Sequence, residues 1–147
     1  MKVKIKKLNK LAVIPTYAKE GDAGMDLTAI GVEYDKDIDC EIYHTGIAVE
    51  IPKGYVGLIF PRSSNRKTNA YMTNHVGVID SGYRGEILVC YKQRDDMYYT
   101  EDINTAYKRG DRIAQLIIMP YPQIEFEEVK ELSDSERGEG GHGSTGN

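Results

Sequence analysis

Residues 45–60 read TGIAVEIPKGYVGLIF: two apolar runs of strand length hinged on Pro52-Lys53-Gly54. Val, Ile, Tyr and Phe suit a half-buried pleated surface, and the Pro-Lys-Gly step supplies a turn that neither run could hold inside a strand. The same punctuation extends outward in both directions. Val3–Leu8, Met25–Ala29 and Ile38–Tyr43 precede the hinge, and Glu86–Tyr91 and Arg112–Met119 follow it. Ile124–Val129 is a further strand candidate, with Ile124 and Phe126 on one face and Glu125 and Glu127 on the other. Lys108-Arg109-Gly110-Asp111 is a second strong turn signal. Ser63–Met72 is the best place for one short helix, with Ser63 or Ser64 as its N-cap. Many short strands at this spacing predict an all-β sandwich, jelly roll or barrel.

Composition narrows the function classes. A chain of 147 residues is the size of one domain and can bury a core without disulfide staples. With 40% hydrophobic and 29% charged residues it reads as globular, and a net charge of -4 argues against non-specific binding of nucleic acid. MKVKIKKL at the start has no apolar stretch behind it and is not expected to be a signal peptide. Ile113–Met119, the longest apolar run, is too short to span a membrane. Cys40 and Cys90 form no CxxC pair and are expected to be reduced thiols of a cytoplasmic protein. His44, His75 and His142 lack metal-cluster spacing, so no protein-held zinc is expected.

The last fifteen residues differ from the rest. From Ser133 to Asn147 almost nothing is apolar, and Gly stands at 138, 140, 141, 143 and 146. Such a segment packs no core and is expected to be mobile. Gly143-Ser144-Thr145-Gly146, with Arg137 upstream, offers backbone N–H groups, two hydroxyls and a guanidinium, a set suited to a phosphate chain.

Four more segments carry chemistry. Ala23-Gly24-Met25-Asp26-Leu27 puts a carboxylate on a strand after a glycine. Pro61-Arg62-Ser63-Ser64 puts a guanidinium and two hydroxyls at the expected helix start, an anion site by the usual helix-terminus argument. Residues 74–86 read NHVGVIDSGYRGE, and residues 110–116 read GDRIAQL. In this order, and with RGEGGHGSTG at 137–146, these segments closely resemble the five motifs of the trimeric deoxyuridine triphosphate nucleotidohydrolases (dUTPases). The resemblance runs from Ala23 to Gly146. Any one motif is weak, but five in order are very specific.

The resemblance implies a distorted jelly-roll-like (β-clip) subunit over 1–132 and a flexible arm over 133–147. It also implies a homotrimer in which the arm closes over a site on another subunit. The implied reaction is dUTP plus water to dUMP and pyrophosphate, which limits uracil incorporation into DNA, with Mg²⁺ held mainly by the triphosphate and water. By resemblance Asp80 activates the attacking water, and Asp26 touches the metal's water shell. Arg62, Ser63, Ser64 and Gln115 position phosphates, and Arg137 with Gly143, Ser144 and Thr145 meets them from the arm. Uracil pairs with backbone groups of Gly77, Val78 and Ile79 and with Asn74, while Tyr83 packs under the sugar and leaves no room for a 2′-hydroxyl. Arg84 and Arg112 read mainly as structural ion-pair residues.

Two departures stand out. The family usually has Phe where this chain has His142, over the uracil, and the segment Glu86–Arg109 is longer than the family's. That segment carries Tyr98 and Tyr99, so the lid over the base is either His142 or one of these relocated tyrosines. The rival enzyme is a dCTP deaminase, which shares the fold and two motifs; the arm and the Tyr83 context favour the dUTPase. A rival of another class is a non-enzymatic regulatory protein on this fold. Intact Asp80, Asp26 and arm argue against a purely binding role, and a regulatory partner beside catalysis stays open.

Overall fold

The computed structural model describes residues 1–94 and 106–141. Its strands in chain order are β1 (Lys4–Lys7), β2 (Met25–Thr28), β3 (Gly31–Asp35), β4 (Cys40–His44), β5 (Ile47–Glu50), β6 (Tyr55–Pro61), β7 (Ala70–Met72), β8 (Gly77–Ile79), β9 (Leu88–Gln93) and β10 (Arg112–Pro120). The Pro52-Lys53-Gly54 hinge joins β5 to β6: Tyr55 N donates to Pro52 O at 3.1 Å, and Gly54 takes φ +85°, a conformation L side chains rarely adopt.

The strands form antiparallel sheets with orders β2-β10-β6-β8 and β3-β4-β9-β7, plus the pair β1-β5. One core lies between them. Leu27, Ile59, Ile113 and Leu116 come from the first sheet, and Tyr43, Met72, Val89 and Tyr91 from the second. The Tyr91 hydroxyl donates to Ile113 O at 2.8 Å, tying the two sheets together inside the core. Cys40 and Cys90 are free, and burial pushes the Cys40 thiol up to about 11, which leaves it protonated and inert at neutral pH. No described helix is long and apolar enough to cross a membrane.

Three local expectations are corrected. The helix expected over Ser63–Met72 is one 3-10 turn, Ser63–Lys67, capped by Arg62 without a side-chain bond, and Ala70–Met72 is a strand. Side chains compete with helix hydrogen bonding here: Thr68 Oγ1 donates to Asn65 O at 2.8 Å, and Asn65 Nδ2 donates to Ala70 O at 3.0 Å. The strand expected from Ile38 starts at Cys40, because Asp39 takes φ +51° in the β3–β4 turn. Ile124–Val129 forms no strand. Every described residue from Tyr121 to Glu139 is exposed, Phe126 at 93%, and no described residue pairs with or covers Ile124–Val129.

Candidate functional site

The Asp26, Arg62 and Gln115 side chains meet at one corner of the first sheet. Register places Gln115 of β10 between Asp26 of β2 and Phe60 of β6, so a strand pattern alone brings residues far apart in sequence together. Arg62, just past the end of β6, donates Nε to Asp26 Oδ1 at 2.7 Å, and Arg112 donates to Asp26 Oδ2 at 3.0 Å. Arg62 also donates to Ser64 Oγ at 3.2 Å, and Gln115 Nε2 donates to Pro61 O at 3.1 Å. A Cβ on Gly24 would sit 2.7 Å from Gln115 Oε1 and 3.3 Å from its Cβ, so a larger residue there would push the Gln115 side chain aside. Two guanidiniums share one carboxylate, Arg66 and Lys67 close the following turn, and the corner is therefore locally basic on an acidic chain. A five-residue 3-10 turn has no useful dipole, so anion binding at this corner rests on side chains, not on the helix terminus invoked from the sequence.

The second group is built on β8 and the turn after it. β8 is an edge strand: one side pairs with β6, leaving the other with open backbone donors and acceptors. Asn74 reaches back over Gly77, where a Cβ would sit 3.5 Å from Asn74 Nδ2 and 3.2 Å from Ile59 Cβ. Asp80 is exposed, and among the described residues no hydrogen bond or ion pair engages its carboxylate. Its carbonyl accepts from Tyr83 N at 3.0 Å, which closes the turn and brings the tyrosine back beside it. Val78, Ile79, Asp80, Tyr83, Glu86 and Leu88 line a cleft of about 180 Å³.

Gly46, Gly85, Glu86 and His44, to which the sequence gave no role, help to set that geometry. The Tyr83 hydroxyl donates to Glu86 O at 2.9 Å, and the ring lies where a Cβ on Gly85 would be, 2.6 Å from its Cζ. Glu86 Oε1 accepts from Gly46 N at 2.7 Å, and its Oε2 lies 3.2 Å from His44 Nδ1, anchoring the turn to the β4–β5 connection. Arg84, expected to be an ion-pair residue, donates instead to the carbonyls of Ser81 and Tyr83 at 2.7 and 2.8 Å and braces the turn's backbone, whereas Arg112 pairs with Asp26 as expected. The only sequence signal for this bracing was the compact YRGE run.

These two groups are far apart in one chain. Ile79 is opposite Gly57, which sets Asp80 level with Val56, whereas Arg62 follows the other end of β6. Six residues of strand separate the two levels, roughly 20 Å at about 3.3 Å per residue. Arg137 stands apart from both, exposed, with Nε donating to Gly140 O at 2.9 Å. His142, Gly143, Ser144 and Thr145, and the alternative lids Tyr98 and Tyr99, lie outside the described residues.

An open strand edge beside a free carboxylate, and a basic corner bearing hydroxyls, define an all-β subunit suited to a ligand with a flat polar end and an anionic end. That is the chemistry of a nucleoside phosphate. The chain belongs to the dUTPase family, whose model matches residues 10–146. It is 40% identical over 147 residues to a deoxyuridine 5'-triphosphate nucleotidohydrolase of Clostridium kluyveri, covering 99% of both chains. Among solved structures it is similar to a variant dUTPase of Staphylococcus bacteriophage 80alpha with dUpNHpp, at TM-score 0.81 and 32% identity over 99% of each chain. It is also similar to a variant dUTPase of phage phi11 of S. aureus, described with a structural Mg(II) ion. There the TM-score is 0.72 and the identity 27%, over 89% of this chain and 98% of that one.

Proposed function

We propose that this chain hydrolyses dUTP to dUMP and pyrophosphate, with a water activated by Asp80 attacking the α-phosphorus. The observation that carries the reading is the exposed Asp80 carboxylate, which no described residue pairs with, beside the open edge of β8. A general base must be free to accept a proton, and a strand edge can pair with a planar amide-like base. The water oxygen bonds to the α-phosphorus, its proton passes to Asp80, and the bond to the β-phosphate's bridging oxygen breaks. Uracil lies along Gly77–Ile79 with Asn74 at its end, a narrow setting in which cytosine leaves polar groups unpaired. Tyr83, braced by Glu86 and Gly85, takes the sugar face.

Arg62, Ser63, Ser64 and Gln115 take the phosphates, joined by Arg137, Gly143, Ser144 and Thr145 of the arm. The roughly 20 Å between Asp80 and Arg62 supports a composite site in which one copy supplies the base-binding edge and another the phosphate corner, in keeping with a homotrimer. Both Asp26 oxygens already accept from arginines, and the described residues hold no cluster of three or more metal-binding side chains. That donor set fits Mg²⁺ arriving on the triphosphate, with Asp26 reaching only its water shell. Magnesium supplies charge neutralisation on the phosphate oxygens. The arm's His142, or Tyr98 or Tyr99, covers the base, and the reaction belongs in the cytoplasm.

The test is pyrophosphate release from dUTP, UTP, dTTP and dCTP with and without Mg²⁺, together with ammonia release from dCTP. Mg²⁺-dependent release from dUTP above the others is expected. Ammonia from dCTP would replace this reading with the deaminase.

A further inference from the structure

The turn carrying Ser63 and Ser64 is held from below by the core. Within it, Asn65 Oδ1 accepts from the Tyr107 hydroxyl at 2.8 Å and from Thr68 Oγ1 at 3.0 Å, while Asn65 Nδ2 donates to Ala70 O. Tyr107 is 7% exposed, its ring edge-on to Tyr43 at 5.8 Å and to Tyr91 at 5.2 Å. Its backbone N–H donates to the Tyr43 hydroxyl at 2.9 Å. That hydroxyl donates in turn to the buried Glu41 carboxylate, which also accepts from Gln93 Nε2 at 2.7 Å and Ala106 N at 3.0 Å. Burial pushes the Tyr107 phenol above its ordinary range, so it remains a proton donor at neutral pH.

The ring of Tyr107 stays within the tyrosine cluster, whereas its hydroxyl interacts both with Tyr91 in the cluster and with Asn65 of the turn. The ring packs with two other tyrosines, which a phenylalanine would do as well. The hydroxyl reaches out of that cluster to Asn65, whose backbone N–H donates to Arg62 O at 2.9 Å and whose side chain donates to Ala70 O, so that this one residue ties the Ser63–Lys67 turn at both ends. Arg62, paired with Asp26, holds Ser64 Oγ from the N-terminal side of the turn, and Tyr107 is the distant side chain that holds Asn65 from the core side.

We propose that Tyr107 is a positioning residue for the phosphate end of the site, its hydroxyl acting through Asn65 to fix the direction in which Ser63 and Ser64 face the triphosphate. The proposal rests on the reading that this turn takes phosphates. It commits Tyr107 to the anionic end of the ligand and not to the base.

The experiment uses the full chain with Tyr107→Phe. Binding of a non-hydrolysable imido analogue of dUTP is compared with binding of deoxyuridine, which has no phosphate, and folding is followed by thermal melting. Loss of one neutral hydrogen bond should weaken the analogue about 3- to 10-fold while deoxyuridine affinity stays at the parent's value. Asn65→Ala should give the same selective loss. The double variant should lose no more than the worse single one, because both cut the same link. Equal weakening of both ligands, an unchanged analogue affinity, or additive losses in the double variant would overturn the proposal. If Tyr107→Phe fails to fold, the ligand selectivity of Asn65→Ala decides alone. A parent chain that binds no analogue would remove the functional reading itself; a parent that binds it beside an unaffected variant would remove only the role of Tyr107.

Discussion

Gly85→Ala tests the proposed role of Tyr83 in sugar selection without replacing the tyrosine. The backbone at Gly85 lies outside the left-handed region, so alanine is not strained there. The new Cβ would sit 2.6 Å from Tyr83 Cζ and 3.0 Å from Cε2, well inside contact distance, and the ring must move. Tyr83 is 44% exposed, so it can swing towards solvent without overpacking the core. The stability loss is then bounded by its hydrogen bond to Glu86 O, about 0.5–1.5 kcal/mol, or a melting-point fall of only a few degrees. Specificity should suffer measurably as well. A pocket wall rejects an added hydroxyl by about 10²-fold, so displacing the ring should cut the dUTP-to-UTP ratio of kcat/KM by on the order of 10-fold or more, through UTP gaining and dUTP losing. Pyrophosphate release measured with both nucleotides reads the ratio, and Tyr83→Ala sets the largest expected effect. A Gly85→Ala protein with an altered melt and the parent's discrimination would refute the claim that the ring position excludes the 2′-hydroxyl.

Asp80→Asn should keep nucleotide binding and lose about 10²-fold or more of the turnover, measured as kcat for dUTP. Mixed and re-associated with an Arg62→Ala protein, it should regain part of the activity that neither variant has alone; failure to regain any would count against a site shared between copies. Removing Ser133–Asn147 should leave the melt nearly unchanged and turnover severely reduced, since the described part of that segment contributes no buried residue. For the lid, His142→Ala is compared with Tyr98→Ala and Tyr99→Ala for dUTP affinity. A stacked aromatic contributes about 1–3 kcal/mol, so the residue over the base should stand out by roughly 5-fold or more, and we expect it to be one of the tyrosines.

The fold was legible wherever turn chemistry and apolar runs coincided. Pro52-Lys53-Gly54 located β5 and β6, and the long apolar run ahead of Pro120 located β10. The errors came from contacts that no local pattern encodes. Ser63–Met72 has a reasonable helix start, yet Asn65 and Thr68 spend their side chains on nearby carbonyls, and Tyr107 arrives from far along the chain to hold them. Ile124–Val129 alternates like a strand, but alternation says only that one face wants cover; it does not say that the same chain provides it. At the site, the motif residues were legible individually, because a carboxylate or an arginine in a specific string is visible in one dimension. Their braces were not. Gly85 matters through the ring that occupies its missing side chain, and His44 through a carboxylate in a different motif, and both facts exist only in three dimensions.

The roughly 20 Å separation between Asp80 and Arg62 favours a site shared between copies of the chain. A phosphate chain extends only a few bond lengths from the sugar, so one nucleotide cannot reach a water on Asp80 and the Arg62 corner of the same chain across roughly 20 Å of strand. The sheet order prevents any small adjustment, because β8 and β2 are opposite edges with β6 and β10 hydrogen-bonded between them. Bringing the ends together within one chain would mean breaking those ladders. Bringing a second copy's β8 edge to the first copy's corner costs no internal bond. Phe126 and Leu132, exposed at 93% and 87%, lie on the same stretch that leads to Arg137. Apolar side chains left so open favour burial by about 1.5–3 kcal/mol each for a large residue, and a neighbouring copy is the surface that would gain from covering them. The contact that buries the arm would then also deliver its arginine and its glycine-rich end to a phosphate site. Assembly and completion of the active site would be one event, which makes turnover fall with dilution more steeply than the concentration of folded chains.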